Sequence, residues 1–145
     1  ARAETSARLM WAACRAHPWL AHALSMTRPQ AIPHGMDHTE WLLDALNGHD
    51  LDLDTKMHIG ITLLGYVRGA AVNIEPELRA RQDSGLTDEE WMLTQKPALM
   101  AVAGPDRFPH LVRTMRTEVD VTIDSLFEFG LHRFLDGLEV FLRRG

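Results

Sequence analysis

The chain has 145 residues, 46% of them hydrophobic and 24% charged, which is enough apolar material for one core. Its 20 acidic against 15 basic residues give a net charge of −5, and clustered Lys and Arg, which non-specific nucleic-acid affinity needs, are missing. The single cysteine, Cys14, excludes an intrachain disulfide and fits a reducing cytosol, and no apolar run reaches membrane-spanning length.

No stretch alternates with period two between hairpin turns, so the punctuation is that of helices. Residues 4–16 read as a first helix stopped by Pro18, and 18–26 as a short second one. The segment Thr27 to Pro33, with its two prolines, reads as a loop. A third helix over 37–47 should end at Asn47-Gly48, since both residues tolerate left-handed backbone. Asp52 is placed to cap a fourth helix running to about residue 81, with a bend expected at Pro76. Thr87-Asp-Glu-Glu90 is a capping-box pattern opening a fifth helix that Pro97 should end or kink. Gly104-Pro105 should start a short sixth helix. The seventh covers about 122–144, with Arg143 and Arg144 complementing its C-terminal dipole. The class is all-α, a seven-helix bundle in one domain spanning residues 1–145.

Two helices carry the functional reading. From Met57 to Ile74 the fourth is apolar nearly all round, the pattern of a helix buried in the middle of a domain. Its exceptions, His58, Thr62, Gly65, Tyr66, Gly69 and Asn73, fall in one narrow sector at helical spacing. Such a stripe either lines a cavity with a few hydrogen-bonding groups, or lets another helix approach closely while its polar groups find internal partners. The seventh helix sets a polar strip (Glu128, His132, Asp136, Glu139, Arg143) against an apolar surface wider than one contact needs. Gly130 and Gly137 lie on one face of it and cost roughly 1 kcal/mol each relative to alanine, so the backbone there comes close to something. Core packing and a homodimer face both satisfy that pattern.

Phe127-Glu128-Phe129-Gly130-Leu131 followed by Leu135-Asp136-Gly137-Leu138-Glu139 resembles the last helix of tetracycline-repressor (TetR) family regulators. Ala16-His17-Pro18-Trp19-Leu20, Leu64-Gly65-Tyr66-Val67-x-Gly69, Gly85-Leu86-Thr87-x-Glu89-Glu90-Trp91 and Arg107-Phe108-Pro109-His110-Leu111 are similar to further family segments, in the family's order. The resemblance implies a cytoplasmic, two-part transcriptional regulator: a helix-turn-helix head for operator DNA, and a C-terminal body that binds a small effector and dimerises. The implied activity is repression relieved by a small organic ligand. No helix-turn-helix occurs in these residues, so operator DNA would be met only through a head outside this chain, which begins at Ala1 rather than Met. The resemblance also implies that the fourth and last helices pair with their twofold mates as a four-helix bundle. Carried over by position, Gly65, Gly69, Phe127, Gly130, Leu131, Phe134, Gly137, Leu138 and Phe141 become interface candidates.

For the effector, Trp11, Trp41, Tyr66 and Met115 suit either a core or a cavity for a flat or apolar organic molecule. Thr62, Tyr66, Asn73 and His38 supply its polar contacts, and Met36 and Met57 can adapt the wall. The cavity is expected between the first, third and fourth helices. His34 and His38 have an i,i+4 spacing, but with no HExxH and no second cluster no metal and no cofactor is expected. The family's tetracycline–magnesium chemistry is not carried over, because the ligand residues do not match. No nucleophile elbow or phosphate-cradling glycine loop appears, so no enzyme activity is expected. A helical carrier or enzyme without any DNA role is the alternative.

Overall fold

The computed structural model describes residues 2–143 except Thr27, Pro29, Gln30, Pro105, Asp106, Glu118 and Asp120. Within that range the chain forms helices and no strand: α1 (Arg2–Ala16), α2 (Leu20–Ala23), α3 (Pro33–Asp44), α4 (Leu53–Ala71), α5 (Ile74–Ser84), α6 (Asp88–Ala103), α7 (Pro109–Arg116) and α8 (Ile123–Leu142). The all-α class is as expected, with eight helices rather than seven among the described residues.

The extra helix comes from the expected fourth, which is two. It breaks at Val72-Asn73, and Pro76 then falls in the first turn of α5, where its missing N–H has no intrahelical partner to lose. Asp52 does cap α4, its Oδ1 accepting from the Thr55 amide at 2.7 Å. At α6 the capping box is complete: Thr87 Oγ1 accepts from the Glu90 amide at 3.2 Å, and Glu90 Oε2 accepts from the Thr87 amide at 2.8 Å. The helix then runs through Pro97 and stops at Gly104, whose φ of +56° suits glycine. Gly104 therefore ends a helix where it was expected to start one, and α7 opens at Pro109 instead. Proline also opens α3 at Pro33, four residues ahead of the expected start; that helix ends at Asp44, before Asn47-Gly48. Pro105 and Arg144, assigned to helix ends on sequence grounds, lie outside the described residues.

The chain gathers into two compact units, Ala1–Glu75 with Ile123–Gly145, and Pro76–Thr122. In the first, Trp11 and Cys14 of α1, Ala21 of α2, Leu42 of α3, Leu63, Val67 and Ala71 of α4, and Phe127 and Leu131 of α8 form one buried cluster. At about 1.5–3 kcal/mol for each large apolar side chain, this burial is the main source of stability. Trp11 stacks on Phe127, ring centroids 4.3 Å apart and planes 4° from parallel. Along the same side of α1, Arg8 donates to both Glu128 oxygens at 2.6 and 3.0 Å, and Trp11 Nε1 donates to Asp124 at 3.2 Å. The Arg8 guanidinium holds the Glu128 carboxyl below its usual range. Arg68 Nε donates to the Ala21 carbonyl at 2.9 Å, tying α2 to α4.

Expected to be buried all round, α4 is covered on one side only. Leu63, Val67 and Ala71 are buried, whereas Leu53 is 73% exposed and Met57 and Ile61 are 37% exposed. Its neighbours α1, α2, α3 and α8 all contact it, and besides Leu53 and the part-exposed Met57 and Ile61 its outward residues are Asp54, His58, Thr62 and Gly69. In the second unit α6 packs on α7, Arg81 and Asp88 pair across the α5–α6 turn, and Ala103 and Val112 are buried.

Candidate functional site

Two concavities lie in the first unit. One is a small cavity of about 60 Å³ between α1, α3 and α4. Its wall is formed by Met10, Leu42, Leu43, Met57, Ile61 and Leu64 among other apolar side chains, with Ser6, His38 and Thr39 as the polar exceptions. The helices are the three expected to bound a pocket, yet of the residues named for it only His38 and the wall-adapting Met57 line it. Trp11 turns instead to Phe127 and Asp124, and Trp41 is half-buried on α3 outside the lining. Met115 sits half-buried on α7 in the second unit.

His38 is the informative member. α3 begins early enough to carry both His34 and His38, but the rings part. The His34 side chain is 99% exposed beside Asp37, while His38 Nε2 lies 2.8 Å from Ser6 Oγ. Burial pushes His38 below its ordinary value of 6.5, which keeps the ring neutral at pH 7. Ser6, at 1% exposure, is the buried polar residue of the described core, and sequence reasoning passed over it. The signal was available: with Ala3, Ala7, Met10 and Cys14 it falls on the apolar face of α1, where a lone hydroxyl needs a partner. Among the described residues no group of three or more His, Cys, Asp or Glu is placed to hold a metal ion.

The second concavity is an open groove of about 630 Å³ between α4 and α8. Asp54, Thr55, His58, Ile59 and Thr62 line one side, and Arg133, Phe134, Gly137, Leu138 and Phe141 the other. Thus the polar stripe of α4 serves several purposes. His58 and Thr62 face this groove. The Tyr66 hydroxyl donates to the Phe127 carbonyl at 2.5 Å and also lies 3.1 Å from that of Leu126, inside the chain. Asn73 Nδ2 donates to the carbonyls of Gly69 and Ala70 at 3.2 and 3.3 Å, finishing its own helix.

The interface candidates divide in the same way. Phe127 and Leu131 are 1% and 0% exposed, so both are core and have no surface left to offer a partner. Gly130 is small for Tyr66: a Cβ there would stand 2.5 Å from the hydroxyl oxygen. Gly65 makes room for Met26, whose Cε would lie 2.5 Å from its Cβ. These two glycines are explained by close packing within one chain. Gly69 and Gly137 have nothing within 4 Å of such a Cβ, and with Phe134, Leu138 and Phe141 they remain at or near the surface.

Comparison with known proteins bears on what this arrangement is for. A family model described as the tetracyclin repressor-like, C-terminal domain matches residues 1–142. The chain is also 35% identical over 144 residues to the HTH-type transcriptional repressor DrrR1 of Streptomyces coeruleorubidus, a match covering 98% of this chain and 53% of that protein. It therefore spans about half the length of that relative.

Proposed function

Since the chain belongs to the tetracyclin repressor-like C-terminal domain family, we propose that it is the effector-sensing and dimerising body of a cytoplasmic transcriptional repressor. Operator DNA is then gripped by a helix-turn-helix head, not by these residues. Their acidic balance supports that division of labour. The observation that carries the dimer is the split character of α8. While Phe127 and Leu131 are buried, Leu126, Phe129, Val140 and Phe141 of the same helix stay 48–65% exposed. So much apolar surface beside an open groove is more than a monomer ordinarily shows. A second copy laid along α4 and α8 would bury it, with Gly69 and Gly137 permitting close approach and Phe134, Leu138 and Phe141 supplying area.

The cavity between α1, α3 and α4 is the proposed effector site. α1 has the cavity on one flank, through Ser6 and Met10, and α8 on the other, through Arg8 and Trp11. A ligand that binds one arrangement of α1 better than another would shift the dimer between head spacings, by no more than its differential affinity. The test uses the full-length repressor and its operator in a gel shift. The complete protein should bind a specific operator and be released by a small apolar compound, whereas residues 1–145 alone should leave the DNA unshifted. Sequence-specific binding by residues 1–145 would overturn the reading.

A further inference from the structure

We propose that the cavity between α1, α3 and α4 takes a compact, uncharged, apolar molecule carrying one hydroxyl, an alcohol or a phenol, and that Ser6 and His38 together recognise that hydroxyl. The inference rests on the sensor reading above and adds the chemical class of the ligand.

The wall carries no Asp, Glu, Lys or Arg. A charged ligand would give up water and meet no opposite charge, a cost that ordinary apolar contact does not offset. His38 does not supply one, because its burial keeps the ring neutral at pH 7. Of the polar groups on the wall, the Thr39 hydroxyl spends its one proton on the Gly35 carbonyl at 3.1 Å and can offer a ligand only lone pairs. The group that can both donate and accept is the Ser6–His38 pair. Their single shared bond of 2.8 Å does not exhaust them, since a hydroxyl has one proton and two lone pairs and the ring has two nitrogens. The shared proton can lie on either side, according to the tautomer of the ring. A ligand hydroxyl both donates and accepts, so it matches either arrangement, whereas a carbonyl matches only a donor.

Size sets the other limit. The cavity measures about 60 Å³, and an apolar cavity of about 150 Å³ is known to hold benzene. A small alcohol needs little adjustment. A phenol needs Met10 and Met57 to turn aside, and their unbranched side chains do so readily. Met57 is 37% exposed, so it stands at the mouth rather than in the depths.

The experiment titrates the 145-residue chain at pH 7 with phenol, toluene and benzoate, reading affinity by calorimetry and the His38 ring by NMR. Saturable phenol binding that moves the His38 resonances, at least tenfold tighter than toluene and without competition from benzoate, is the expected result. Ser6→Ala should weaken phenol about tenfold and toluene hardly at all; it removes one atom from a helix, so folding should survive even where His38→Leu disturbs it. Benzoate binding as tightly as phenol, or a Ser6→Ala variant that binds phenol like the wild type, would overturn the chemical class. Absence of saturable binding by all three probes would overturn the cavity as a site for such ligands. Neither result touches the sensor reading, which fails separately if no compound releases the full-length protein from its operator.

Discussion

Tyr66 reaches from α4 to the α8 backbone, and its one proton is shared between two carbonyls at 2.5 and 3.1 Å. Burial pushes the phenol above its ordinary 10, so it stays a donor at any physiological pH. Tyr66→Phe removes only this bond. Urea unfolding should show a loss of about 1 kcal/mol, and ligand affinity at the α1–α3–α4 cavity should not change. His38 sets a pH dependence of opposite character. Its folded-state value lies below the ordinary 6.5, so in the window between the two the unfolded chain binds the extra proton. The contribution is therefore complete above pH 6.5 and is lost as pH falls through the lower, folded-state value. Between pH 7.5 and 5, wild type should lose more stability in urea titrations than His38→Leu does. Neither role could be read from the sequence. A Tyr or His on an apolar helix face announces that it needs a partner, but not which helix supplies it.

Glycines in α8 separate two uses of the same residue at the scale of whole elements. Gly130 is filled by Tyr66, so Gly130→Ala sets its helix-propensity gain against a ring that must move and surrender its bond. The expected balance is a loss of about 1–3 kcal/mol in thermal unfolding. Gly137 has open space, and Gly137→Ala should stabilise the single chain by up to about 1 kcal/mol. A bulky Gly137→Leu should instead weaken self-association, measured by sedimentation of a dilution series in the ultracentrifuge. Local signals were the legible ones. The Asp52 cap and the Thr87–Glu90 box are fixed by residues three apart, and both formed as the sequence implied. The α4–α5 break was not legible, because Pro76 drew attention to itself while the chain turned three residues earlier. The cavity's three helices were named from aromatic rings and polar groups that the wall does not use. The wall itself was not legible, because an aromatic such as Trp11 marks burial without naming the neighbour, here Phe127.

On the scale of the whole molecule, the proposed pairing would cover the exposed part of α8 and the α4–α8 groove with a second copy. Light scattering at micromolar concentration should return twice the 16.4 kDa mass of the chain. A stable monomer would refute the pairing while leaving family membership untouched. One residue of the core offers a way to watch the molecule from inside. Cys14 is the only thiol in the sequence, is 0% exposed, and burial pushes its pKa upward from the usual 9.0. A thiol so placed is a poor nucleophile until the cluster around Trp11 and Phe127 parts. Its rate of labelling by a disulfide reagent is then a clock for opening events rather than for surface chemistry. Dimerisation and phenol should each slow that clock, with no dye, tag or engineered cysteine needed to read it.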